Sequence, residues 1–477
     1  MPTTTESTPP VRPAPQPDVT PNPALRKATS LWVVLISAIA IIFDGYDLVI
    51  YGTVVPSFLA DPSHIGPVSP ELAGQLGSYA LFGVLVGALS CGAVTDVIGR
   101  RKVMLLAIAW FSVGMAATAM AHSATVFGIL RFVTGIGVGA LVATAGAIVA
   151  EFAPPNRRQL FNAIVYCGVP AGGVMASLFA MLLHSSIGWR GLFLVGASPI
   201  LFLLPLAWFK LPESPLWLES RGRHEEAQQW SAKTGVPLVA HSAPVGAAPA
   251  APSTEPVGFA ALFSRKYIVA TLFVGLMSFT GLLLTYGLNT WLPVIMGQHG
   301  FNTQGSLLFL LTLNLGAVFG AMSASWIADK IGARAVIVAL FALAAVCLML
   351  LPFSFPHAIL LLLVALAGMG TVGVQVLIYG FGSNFYESRA RGAGVAWVAG
   401  FGRLGGIFGP LVGGFLIAAG IDIVRAFQMF AIVALAGGLF TLVPRQPRSA
   451  QQEAQAVEIG AAKQGIVDET VVAAPAS

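Results

Sequence analysis

Apolar runs as long as a bilayer is thick dominate the chain. Twelve are found, at 29–56, 71–95, 102–121, 124–151, 158–184, 189–209, 266–293, 304–328, 334–352, 357–385, 391–418 and 422–443. A helix needs about 20 such residues to cross the hydrocarbon core. Backbone surrounded by lipid must satisfy its own hydrogen bonds, and runs this long do so as helices rather than as buried strands. The sequence therefore predicts an all-α integral membrane protein. Composition excludes the soluble alternative. Of the 477 residues, 56% are hydrophobic and only 9% charged, against about 25% charged in a soluble domain. No soluble core of this length buries so much apolar side chain. Pro170, Pro205 and Pro410 fall inside runs, where membrane helices tolerate them as bends.

The cations orient the spans. Lys and Arg favour the cytoplasmic side of short loops. With both termini cytoplasmic, 21 of the 25 fall in inside segments. Arg190 and Arg425 lie in outside loops, and Arg131 and Arg403 fall within spans. The expected organisation is a disordered cytoplasmic tail over 1–28, a six-helix bundle over 29–209, a cytoplasmic loop over 210–265, a second six-helix bundle over 266–443 and a disordered tail over 444–477. Within the loop, the Ala/Pro/Ser stretch up to residue 257 has no core-forming pattern. The expected location is the inner membrane, multi-pass, with a monomer as the functional unit. The net charge of +5 is small, and no basic stripe for nucleic acid is present. Cys91, Cys167 and Cys347 stand far apart in apolar runs, without metal spacing. "GIGVG" at 135–139 lies inside an apolar helix and follows no strand, so it reads as close helix packing rather than a nucleotide loop. Neither a metal nor a cofactor is expected.

The two halves repeat. "DVIGRRK" (Asp96–Lys102) joins spans 2 and 3, and "DKIGAR" (Asp329–Arg334) joins spans 8 and 9. Asp96 and Asp329, Gly99 and Gly332, and Arg101 and Arg334 are each 233 residues apart, as are Arg158 and Arg391 at the mouths of spans 5 and 11. One offset shared by separate loops argues for duplication, and parallel six-span repeats build rocking-bundle transporters. Gly permits the tight turn, Asp suits the N-terminus of the next helix, and the arginines reach neighbouring helix ends.

"GAVTDVIGRRK" (from Gly92, with Asp96, Gly99, Arg100 and Arg101) resembles the loop signature of the major facilitator superfamily. "RFVTGIGVG" (Arg131–Gly139), "EFAPPNRR" (Glu151–Arg158) and "PESPLWL" (Pro212–Leu218) are similar to motifs of spans 4 and 6 in that superfamily. "DGYD" in span 1 and "GFGRLGGIFGP" in span 11 resemble its aromatic acid:proton symporter family, over about residues 28–444. The chain departs from that pattern at "YESRARGAG", where relatives have Pro after the Tyr. The resemblance implies two six-helix bundles around a central cavity. It also implies rocker-switch uptake, coupled to protons, of a small aromatic carboxylate such as benzoate, hydroxybenzoate, protocatechuate or gentisate. It assigns Gly92, Asp96, Gly99, Arg100, Arg101, Asp329, Gly332, Arg334, Glu151, Arg158 and Arg391 to conformational switching.

Two carboxylates interrupt span 1. Asp44 and Asp47, three residues apart, share a helix face that Tyr51 extends. Each costs roughly 3 kcal/mol on the insertion scale, so they face a cavity or a partner rather than lipid. Two adjacent carboxylates in low dielectric do not both ionise at neutral pH; one holds a proton and the pair titrates as a unit. That is the property of a proton-coupling site. Either Arg131 or Arg403 can pair with an Asp or grip an anionic substrate bidentately. Glu151 is expected to pair with Arg157 or Arg158. Tyr51, Tyr166, Tyr286, Trp291 and Tyr379 are the aromatic side chains expected near the cavity. A proton-driven exporter on the same fold is the alternative, but two intramembrane arginines favour an anion over cationic cargo. A membrane-embedded enzyme needs a nucleophile with its base or a metal cluster, and the spans show neither.

Overall fold

The computed structural model describes residues 23–154, 158–238 and 258–444, and every regular element among them is helical. The first half comprises α1 (Pro23–Ala60), α2 (Pro70–Ile98), α3 (Arg100–Ala119), α4 (Ala124–Phe152), α5 (Arg158–Tyr166), α6 (Gly168–Ala197) and α7 (Pro199–Lys210). Three short helices follow in the loop: α8 (Pro215–Ser220), α9 (His224–Thr234) and α10 (Phe259–Leu262). The second half comprises α11 (Ile268–Gln298), α12 (Thr303–Ile331), α13 (Ala333–Leu350), α14 (His357–Gly368), a π turn (Met369–Gly373), α15 (Val374–Phe385), α16 (Ser388–Ala418) and α17 (Ile423–Leu442). Helix α1 starts six residues before the expected span, so the end of the predicted tail is helical. The remainder of both tails and residues 239–257 lie outside the described residues.

Among the described residues, eleven stretches are long and apolar enough to cross a membrane. The longest, Phe161–Lys210, has 50 residues; at 1.5 Å per residue it would reach about 75 Å, more than twice the hydrocarbon thickness. It is broken at Gly188, where φ is 62°. Helices α2, α4, α12 and α17 all start at one face, and each is capped by a short polar side chain. Ser69, Ser123, Asn302 and Asp422 accept from the N–H of Leu72, Val126, Gly305 and Arg425. These caps satisfy backbone donors that the first turn leaves open.

The duplication extends to geometry. Gly99 and Gly332 both adopt positive φ (95° and 92°), a region that side chains disfavour, and each joins two helices with no intervening loop. Arg101 donates to the carbonyl of Trp208 at the end of α7. Arg334 donates to the carbonyls of Thr441 and Leu442 at the end of α17. Trp208 and Thr441 are again 233 residues apart.

The halves meet along α1/α11, α2/α16 and α6/α12. This seam lies toward the face opposite the termini. Gly52 lies directly against the Asn289 backbone, and Gly74 against Pro410 and Gly414. Ser78 Oγ donates to Ile407 O (2.6 Å), and Trp291 Nε1 to Pro410 O (2.8 Å). Deeper in, the halves approach through α5 and α15. Contacts between the halves thus run from this seam, through Gly173 against Asn314, to α5 and α15.

Candidate functional site

Asp44 and Asp47 sit on α1 on either side of Gly45. A Cβ at Gly45 would lie 2.1 Å from the carbonyl oxygen of Val169, so only glycine lets α6 pack this closely. The carboxylates flank that contact and are 4% and 1% exposed.

Asp47 is closed off. Arg131 of α4 pairs with it through Nη1, and Nη2 reaches the Asp47 carbonyl at 3.4 Å. The guanidinium lies 5.5 Å from the Tyr51 ring and 5.8 Å from the Phe193 ring, and Arg131 is 1% exposed. Tyr51 donates its hydroxyl to Ala73 O. This is a dry, stacked ion pair, of the kind in which removing one partner costs about 3–5 kcal/mol because the other charge stays buried.

Asp44 faces a different environment. Arg403 of α16 acts on it electrostatically, as does Asp47. The charges of Arg403 and Asp44 also reach Tyr166 of α5 and Tyr286 of α11, and Tyr379 of α15 acts on both phenols. The Tyr166 and Tyr379 rings are 6.5 Å apart. Arg403 is half-buried and, among the described residues, makes no hydrogen bond or ion pair. Among the described residues, Asp44 Oδ1 has no hydrogen-bond partner. The structure thus assembles Asp44, Arg403 and three tyrosines from both halves, with half-buried rings. It holds Tyr51 with the Arg131 pair and Trp291, fully buried, in the seam.

Sequence reasoning missed two polar contacts beside this group. Gln375, one turn before Tyr379, donates to Ser278 Oγ at 3.0 Å, and its Oε1 is buried without a partner. Asn314 donates to Asn289 Oδ1 (2.8 Å), and Asn289 to Thr285 O (2.7 Å). A side-chain amide inside an apolar span is the signal that marks all three.

At the face where α1 begins and α17 ends, Glu151 pairs with Arg100. Arg157 lies outside the described residues, as does the side chain of Arg158. Arg100 also donates to Ser214 Oγ (3.1 Å), while Glu213 accepts from the backbone N–H groups of Arg101 and Ser214 (3.1 Å each). Glu213 and Ser214 belong to the "PESPLWL" stretch, whose individual residues the sequence reading did not single out. The Asp96 carbonyl accepts from Trp217 Nε1 (2.9 Å) and from Arg221. Its carboxylate is exposed and, among the described residues, unpartnered. Gly92, Asp329 and Arg391 are exposed as well. At the divergent "YESRARGAG", Glu387 bonds Lys266 Nζ at 2.5 Å, which holds that ammonium above its ordinary range.

The sequence profile of the Major Facilitator Superfamily matches residues 37–325 and 310–470. The chain is 31% identical over 430 residues to the benzoate transport protein of Acinetobacter baylyi, covering 88% of this chain and 91% of that protein. It is 33% identical over 412 residues to the gentisate transporter of Corynebacterium glutamicum, covering 86% of each. Among solved structures, it superimposes on the inward open conformation of the xylose transporter XylE from E. coli with a TM-score of 0.70 at 18% identity, over 87% of this chain and 96% of that one.

Proposed function

This chain belongs to the major facilitator superfamily, and we propose that it imports a small aromatic carboxylate together with a proton. It is a transporter rather than an enzyme, and a multi-pass protein of the plasma membrane. The benzoate and gentisate transporters it resembles support the substrate class. We read the break at Gly188 as the turn between two crossings, giving twelve spans in two six-helix bundles with both termini cytoplasmic, active as a monomer. The proton is the coupling ion, and no cofactor is needed.

The observation that carries the reading is the division of labour between two buried carboxylates. Asp47 is neutralised by Arg131, while Asp44 stands beside the unpaired Arg403 among three phenols. In the empty carrier, ionised Asp44 balances Arg403; because Arg131 compensates Asp47, both carboxylates can ionise here, unlike the bare pair expected from the sequence. A proton on Asp44 releases Arg403 to bind a carboxylate through two parallel hydrogen bonds, with the ring against Tyr166, Tyr286 or Tyr379. The empty and the fully loaded pockets are both neutral. A pocket holding only the proton carries one positive charge, and one holding only the anion carries one negative charge. Either costs several kcal/mol in a desolvated interior, so reorientation favours the two balanced states. This differential cost is the coupling.

The test is accumulation of labelled benzoate by reconstituted vesicles under an imposed pH gradient. Wild type should accumulate it when the outside is acidic. Asp44→Asn should abolish accumulation and retain exchange of bound substrate. If Asp44→Asn/Asp47→Asn vesicles accumulate as well as wild type, the carboxylates are structural and the mechanism is wrong.

A further inference from the structure

We propose that the first half of the molecule carries a binding site for the phosphate headgroup of an anionic phospholipid. It is the pocket of about 190 Å³ between the ends of α1, α3 and α7 and the loop helix α9. Its walls include Trp32 of α1, Arg101 of α3, Phe209 and Lys210 of α7, and Trp230 and Lys233 of α9.

Three cations from three separate elements converge there, and no lining residue is acidic. Each leans on an indole. Lys210 Nζ lies 5.3 Å from the Trp32 ring, Lys233 Nζ 5.3 Å from Trp230, and the Arg101 guanidinium 5.8 Å from Trp208. Aromatic contact fixes the stems but leaves the charges uncompensated. Among the described residues, neither lysine forms an ion pair with a carboxylate. Arg101 uses one nitrogen on Trp208 O, and its buried Nε has no acceptor among the described residues. Gathering like charges in one cavity is unfavourable unless an anion joins them.

The position of the pocket identifies the anion. Trp208 and Phe209 beside it are 59% and 80% exposed, at the end of a membrane-crossing helix. Large aromatic side chains mark the headgroup layer. Basic pockets between helices at the cytoplasmic surface suit acidic lipid headgroups, and each cation near such a surface contributes about 1 kcal/mol. On the orientation proposed above, this is the inner leaflet. A diester phosphate in the pocket has donors from α3, α7 and α9, and its acyl chains lie along the exposed face of α7. The lipid would then fasten the loop helix to the bundle.

The experiment measures thermal unfolding of the purified full-length protein in detergent with added phosphatidylglycerol, phosphatidylcholine or inorganic phosphate. A ligand of the native state raises the midpoint by mass action. Phosphatidylglycerol should raise it, phosphatidylcholine much less, and phosphate alone not at all. Lys210→Gln/Lys233→Gln, both on the surface, should lose most of the shift. Lys330→Gln, a cation leaning on Trp326 in the other half, should keep it. An equal shift in wild type and Lys210→Gln/Lys233→Gln, or no shift in wild type, overturns the proposal. Equal protection by inorganic phosphate overturns the lipid as the source of the anion.

Discussion

Arg131 and Arg403 carry the same charge in similarly apolar helices, yet the fold gives them opposite settings. Arg131 is stacked, paired and dry; Arg403 is half-buried and, among the described residues, unpaired. Arg403→Lys should weaken substrate binding roughly 10- to 100-fold, because an ammonium cannot reproduce the planar bidentate fork and loses one charge-assisted bond of about 1.5–3 kcal/mol. Equilibrium binding of labelled benzoate, with folding checked by size exclusion, measures it; unchanged affinity would remove Arg403 from the substrate site. Both aspartates and both arginines are legible in the sequence, since a charge in an apolar run is costly and conspicuous. Which arginine meets which aspartate is not. Asp47 and Arg131 are 84 residues apart, and their pairing depends on how α1 and α4 rotate against each other. The three tyrosines around Arg403 were separable from Tyr51 and Trp291 only once the packing of α1, α11 and α16 was known.

Among the elements, the helix ends near the two positive-φ glycines are tied in pairs. Arg101 and Arg334 tie the starts of α3 and α13 to the last carbonyls of α7 and α17, one tie in each half. Each of these bonds lies within one half. Among the described residues the exposed Asp96 carboxylate has no partner, and the role proposed for it is in conformational switching. Asp96→Asn should slow transport severalfold, yet leave equilibrium affinity for benzoate nearly unchanged. Parallel loss of rate and affinity would place Asp96 in the binding site instead. The 233-residue offset made this duplication readable, because turn glycines and loop charges recur at fixed spacing. The Glu151–Arg100 pair escaped the sequence reading because charge proximity along the chain favoured Arg157 and Arg158, whereas α3 and α4 are antiparallel neighbours that bring Arg100 alongside. Element boundaries shifted for similarly local reasons: Pro23 can begin a helix whose free N–H groups face water.

For the whole molecule, the seam between halves decides the state. Gly74 and Gly414 let α2 and α16 approach to backbone contact, and Ser78 bonds across them. A leucine at Gly74 has no room there. Gly74→Leu should open the outer face and shift the population outward. The readout is labelling of Ser78→Cys by an impermeant maleimide from outside, in a background with Cys91, Cys167 and Cys347 replaced. Labelling should rise severalfold over the Gly74 parent; unchanged labelling would show that the seam is not the outer closure. The apolar runs foretold an all-helical membrane protein, but nothing in them could tell which conformational state the halves adopt. The inward-facing and outward-facing forms differ by only a few kcal/mol and share one sequence.

The same seam governs where the membrane voltage falls. Voltage drops across layers that water and ions do not enter, and in the proposed cycle the seam forms that layer when it is closed. Asp44 and Arg403 then share the electrical potential of the inner solution. A charge crossing 100 mV exchanges about 2.3 kcal/mol with the field, but a proton leaving Asp44 inward crosses almost none of it. When the halves rock, the insulating layer moves to the other side and the same residues float at the outer potential. The carrier then works as a moving dielectric around a stationary site, and a cycle whose pocket is neutral in both directions passes through the field without electrical work.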